Sequence, residues 1–92
     1  MEKNEISVHE VRVFIAVQSI TPKWATSSEI ATLANVARRT SRQHLLKLTH
    51  LGLVECAEVF PGHRYRIAEK ADKRNGGYLR RLECAVNVFD LK

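Results

Sequence analysis

Apolar positions recur along this chain first with a helical period and later with a period of two. Val8, Val11, Phe14, Ile15, Val17 and Ile20 follow one another at helical intervals and cover one broad face. Ser7 and Glu10 have the spacing of a capping box, so a helix is expected to open there and run to about Ser19. His9, Arg12 and Gln18 fall toward solvent, and the helix reads as packing material. Pro22 cannot continue a helix and pushes Thr21 out of the α region, so the chain must break at this point. Trp24-Ala25 is read as a short strand that pairs with a later hairpin, with Trp24 supporting the core or that hairpin.

A second capping box, Thr26 and Glu29, precedes a helix over about Ser27–Ala34, with Ile30, Leu33 and Ala34 on one face. Asn35-Val36 is short enough to be a tight turn. A third helix is expected from about Arg38 to Leu51, with Leu45, Leu48 and Leu51 as its buried stripe. Gly52 then supplies the residue tolerant of positive φ that ends it. Beyond Gly52 the period changes. Leu53–Phe60 is rich in strand formers, Pro61-Gly62 signals a turn, and His63–Ile67 alternates. This predicts a β-hairpin with its tip at 61–63, Tyr65 and Ile67 pointing inward, and Arg64 and Arg66 outward. Residues 68–74 are helix-compatible but strongly charged. Gly76-Gly77 predicts a bend, because each glycine costs roughly 1 kcal/mol inside a helix. A last helix follows from about Tyr78 to Phe89, with Tyr78, Leu82, Ala85, Val86 and Phe89 on one face and Leu79 at its margin. That face can close the domain's own core or pair with its twin across a two-fold axis. A homodimer through Tyr78–Phe89 is the expectation.

Ninety-two residues suffice for one domain with a modest core. Residues 1–6 are read as a frayed terminus, 7–67 as the core unit and 68–92 as a C-terminal helical extension. A hydrophobic content of 45% and a charged content of 27% are those of a folded globular chain. The net charge of +5 is unevenly spread. Residues 1–36 hold three bases and four acids, residues 37–50 hold four bases and no acid, and residues 51–92 hold eight bases and six acids. The excess is concentrated on the third predicted helix, as an electrostatic footprint for an anionic partner would be. Cys56 and Cys84 have no partner at metal-ligand spacing, so a reducing cytoplasmic compartment is expected. Neither a signal peptide nor an apolar run near the roughly 18 residues of a membrane span is visible, so no membrane association is expected. The four histidines are scattered over different elements, and neither a metal nor a cofactor is expected. No nucleophile–base pair, carboxylate pair or glycine-rich phosphate loop is apparent, which argues against an enzyme.

The order of elements, together with Arg38-Arg-Thr-Ser-Arg-Gln-His-Leu-Leu-Lys-Leu-Thr-His-Leu-Gly-Leu-Val54, resembles a winged helix-turn-helix domain. The likeness is to small bacterial or phage transcriptional regulators, such as the multiple-antibiotic-resistance (MarR) and arsenic-responsive (ArsR) repressors, and it spans Trp24 to Ile67. It implies an α+β, mostly α fold: a three-helix core, a two- to three-stranded β-hairpin wing and an additional C-terminal helix. It also implies double-stranded DNA as the partner, with the helix at about 38–51 in the major groove. Two departures stand out. Ala37 occupies the cap position where the family usually has Ser or Thr, a loss of about 1 kcal/mol. The wing is also short, with Pro61-Gly62-His63 at its tip.

DNA chemistry assigns roles on that helix. Arginine can pair bidentately with guanine and glutamine with adenine, so Arg39, Arg42 and Gln43 are the expected base readers. Arg38, Ser41 and Lys47 are expected at phosphates, where cations release counterions. Thr40 either touches phosphate or packs under the preceding helix. His63 and Arg64 are the wing's candidates for the backbone. His44 is read as a boundary residue, and His50 sits where a cation suits the helix dipole. Alternatives are a DNA-binding factor of phage or plasmid replication or recombination, and a winged-helix protein-interaction module. The acid-free cationic face separates nucleic acid from the latter.

Overall fold

The computed structural model describes residues 6–59, 62–68 and 76–88. Among them run α1 (Val8–Ile20), α2 (Ser27–Ala34), α3 (Arg38–His50), β1 (Val54–Val59), β2 (Gly62–Ile67) and α4 (Gly76–Val88). The α+β, mostly α expectation is met. Phe60 and Pro61 of the hairpin turn, residues 69–75 and Phe89 lie outside the described residues.

Local signals place the first three helices. Ser7 caps α1, its hydroxyl accepting from the Glu10 amide at 3.2 Å. The reciprocal half of that capping box does not form, because the Glu10 side chain turns inward. At α2 the box is complete: the Glu29 amide donates to Thr26 Oγ1 at 3.1 Å, and the Thr26 amide to Glu29 Oε1 at 2.8 Å. Those bonds to its carboxylate, first from the Thr26 backbone and then from its hydroxyl, hold the Glu29 pKa below the usual value. Asn35 ends α2 in the left-handed region at φ 57°, and Gly52 follows α3 at φ 76°. Ala37 makes no side-chain cap at α3.

The core is built where these elements meet. Val11, Phe14 and Val17 of α1 pack with Ile30 and Ala34 of α2, Leu45 and Leu48 of α3, Leu53 and Val54, and Leu82 of α4. Several expectations are corrected. Leu33 is 57% exposed, and Ala31 takes the buried position instead. Leu51 is only half-buried, and α3 stops at His50. Ile6, expected in a frayed terminus, packs against the core. Gly76 and Gly77 form no bend but open α4. Amides in a first helical turn have no intrahelical partner, so the cost of glycine in a helix interior does not fully apply there.

The two strands pair antiparallel with Cys56 opposite Tyr65 and Glu55 opposite Arg66. The short strand at Trp24-Ala25 is present as a single bridge, in which Ala25 and Tyr65 exchange backbone bonds of 3.0 and 2.8 Å. Trp24 supports the hairpin from outside the core. The Arg66 guanidinium lies 4.3 Å from its ring centroid and also pairs with Glu55 at 2.9 Å. Tyr65 and Ile67 lean on the core, as the alternation requires.

Capping should therefore be measurable at both helix starts. Thr26→Ala is expected to lower stability by about 1 kcal/mol, and Ala37→Ser to raise it by about 1 kcal/mol. Urea denaturation followed by circular dichroism checks both; an unchanged midpoint for Thr26→Ala would contradict the role given to its box.

Candidate nucleic-acid interface

The outer face of α3, the start of α2 and the hairpin enclose an open groove of about 1090 Å³. Helical geometry explains why α3 can serve both core and groove. At about 100° per residue, Arg39 and Gln43 lie opposite Leu48, whose burial fixes the helix roll. Arg38, Arg39, Arg42 and Gln43 line the groove from α3, and His63 and Arg64 line it from β2. These are six of the nine residues expected to contact DNA. No acidic side chain lines the groove among the described residues.

The other three lie elsewhere. Ser41, expected at a phosphate, is completely buried, and its hydroxyl donates to the Ser27 carbonyl at 3.0 Å. It stitches α3 to α2 and cannot reach DNA. Thr40 is half-buried and does not line the groove, which fits the packing half of its expected role. Lys47, also expected at a phosphate, instead extends its ammonium to Glu10 Oε1 at 2.9 Å.

That last contact belongs to a buried polar cluster joining three helices. Glu10 is 1% exposed, and the Tyr78 hydroxyl donates to its second oxygen. Lys47 Nζ stands 5.2 Å from the Tyr78 ring centroid, and His44 Nδ1 lies 4.0 Å from Glu10 Oε1. Burial alone would depress the Lys47 pKa, but hydrogen bonds with Tyr78 and Glu10 outweigh it and raise the value. Burial raises the Tyr78 pKa, and its bond to Glu10 adds to that. Burial lowers the His44 pKa, with Glu10 opposing and Lys47 and His9 reinforcing the shift. The sequence pattern presented Glu10 as a cap and gave no sign of this cluster, whose members lie up to 68 positions apart.

Sequence reasoning also passed over groove residues. Thr26, Ser27 and Ser28 contribute the start of α2, Leu46 and Thr49 extend the α3 wall, and Cys56 and Tyr65 come from the hairpin. Leu46 could have been found, since it is seven positions after Arg39 and so on the same helix face. Tyr65 was assigned wholly to the core; it is half-buried and reaches both surfaces. Burial, then the neighbouring Cys56, raises its pKa, while Arg42 pulls the other way.

No family model and no curated protein matches this chain. Solved structures do. A MarR family transcription regulator superposes with a TM-score of 0.62 at 18% identity, over 97% of this chain and 56% of that one. ZitR of Lactococcus lactis, in a mutant form, gives 0.55 at 13% identity, over 97% of this chain and 64% of its own. The chain thus spans less than two thirds of the length of either neighbour. These likenesses establish the winged-helix fold.

The buried cluster carries two expectations. Lys47→Met removes the cation from a buried carboxylate and should cost about 3 kcal/mol. Arg39→Ala, on the open groove, should change stability by less than about 0.5 kcal/mol. Chemical denaturation of the two variants side by side tests the contrast. The second concerns pH. With the folded His44 pKa below its unfolded value, the unfolded chain takes up protons first as pH falls. Stability should therefore decline as pH drops through the ordinary histidine value of about 6.5 and level off below the lowered one. His44→Gln should flatten that part of a denaturation-midpoint profile, and an unaltered profile would rule His44 out as its source.

Proposed function

We propose that this protein is a DNA-binding transcriptional regulator that inserts α3 into the major groove of duplex DNA. The observation that carries the reading is the groove itself, whose lining holds Arg38, Arg39, Arg42 and Arg64 and, among the described residues, no acid. Glu29, at the start of α2 and already held by Thr26, is the carboxylate that feels Arg64. Arg39, Arg42 and Gln43 are the base readers, Arg38 meets phosphate, and His63 and Arg64 bring the hairpin near the backbone. The His63 pairing with Glu58 at 3.5 Å is exposed on both sides and is too weak to withhold it. The winged-helix fold supports this use, and the regulator named among the structural neighbours is consistent with it. Fold alone does not set function, so the weight rests on the surface. An adaptor that bound proteins through the same face would be expected to mix charges or expose a broad apolar patch there. A replication or recombination factor would use the same face, and the genomic position of its preferred sites would reveal it.

The protein is read as non-catalytic, acting in the cytoplasm, with no cofactor. No described helix is long and apolar enough to cross a membrane. Self-association through α4 is part of the proposal. Tyr78 and Leu82 close this chain's own core and Ala85 and Val86 pack against it, while Val88 stands 77% exposed, so the outward side of the helix end at Val88 is the proposed pairing surface.

Affinity for duplex DNA should fall steeply with salt. The two arginines assigned to the phosphate backbone, Arg38 and Arg64, each displacing one counterion, give a log–log slope of about −1.8 for each bound protomer. Anisotropy titrations at several salt concentrations measure it, with Arg39→Ala and Arg42→Ala each weakening binding. Binding that ignores both substitutions would refute the assignment. Sedimentation should find a dimer that Val88→Asp dissociates; a monomeric wild-type chain would remove the pairing surface.

A further inference from the structure

Leu46 is 60% exposed on α3, the element whose opposite face holds Leu45 and Leu48 in the core. At about 100° per residue it points within about 20° of Arg39 and about 160° away from Leu48. It therefore shares the outer stripe with Arg39 and Gln43 and lines the groove beside Arg42. A solitary surface leucine needs no explanation on a convex surface. This one stands in a concavity, with Thr49, Cys56 and Tyr65 lining the same groove. The groove is thus chemically graded. Cations crowd the first turns of α3 and the hairpin, and the position one turn beyond Arg42 is apolar.

The edges of base pairs in the DNA major groove offer donors, acceptors and one apolar group, the 5-methyl of thymine. A leucine among base readers has that methyl as its complement. We propose that Leu46 is a specificity-determining residue that packs against the 5-methyl group of a thymine. Arg42 and Gln43, one turn nearer the helix start, hydrogen-bond to the neighbouring base pair. The inference rests on the reading of the groove as a duplex DNA site and adds what that site selects. Cytosine, which lacks the methyl and offers an amino donor at the neighbouring position, would leave Leu46 against a polar edge and be disfavoured there.

The test uses the wild-type chain and duplexes that it selects from a random pool. Each thymine in a selected site is replaced in turn by deoxyuridine, which keeps the hydrogen-bonding edge and removes only the methyl. One position should weaken wild-type binding about 3- to 10-fold, as expected for one or two buried carbon groups. Leu46→Ala should bind the parent site more weakly by a similar factor and respond less than about 2-fold to the same deoxyuridine, because the two losses are one contact. Selection with Leu46→Ala should yield sites relaxed at that position alone.

Wild-type indifference to every deoxyuridine, with binding otherwise intact, overturns this inference and leaves the proposed function standing. So does a Leu46→Ala variant as sensitive to the methyl as the wild type. A wild-type chain that selects no duplex overturns the proposed function and this inference with it. The deoxyuridine series needs no variant, so its outcome does not depend on whether Leu46→Ala folds.

Discussion

A carboxylate held out of water must be paired, and Glu10 finds its partners on two other helices. Lys47 comes from α3 and the Tyr78 hydroxyl from α4, so one buried charge joins three elements distant in the chain. Sliding any of them along its axis would strip the carboxylate of at least one partner, at a cost comparable to a large part of a small domain's stability. Apolar contacts among Val11, Phe14, Val17, Leu45, Leu48 and Leu82 supply the bulk of the driving force, but they tolerate small shifts. The polar cluster does not. It sets the roll and height of α3 against the rest of the fold, and so sets which α3 side chains face the groove.

The groove follows from that orientation. With Leu45 and Leu48 turned inward and Ser41 bound to the Ser27 carbonyl, the cationic stripe has one direction left to face. The hairpin is held opposite by the Ala25–Tyr65 bridge and by Arg66, clamped between Trp24 and Glu55. The groove between these walls is a product of two attachments, one on each side. Neither involves a groove-facing arginine, so the binding surface can vary without disturbing what positions it.

Lys47 illustrates how tertiary context reassigns a charge. On the helix it follows the arginines and looks like one more cation for phosphate. Its ammonium lies over the Tyr78 ring and is paired with Glu10, which offsets its charge and turns it from the groove. The charge available to a polyanion is carried by the arginines, whose side chains line the groove.

The chain's own sequence determined the elements and their order, because those depend on interactions within a few residues. Thr26 and Glu29 cap each other three positions apart, and Asn35 and Gly52 are residue types that accept the left-handed backbone their helix ends require. Leucines at helical spacing show a face, and alternation shows a hairpin. The same local logic located six of the groove residues, since they share one side of α3 or the hairpin's second strand. Only the tertiary structure decided which polar groups are buried and which apolar ones are not. Ser41 and Lys47 are missing from the groove lining, and Leu33 from the core, through what other segments did or did not place against them. A residue's burial is a property of what packs on it. For Glu10 the deciding partners stand 37 and 68 positions away, beyond the reach of any periodicity.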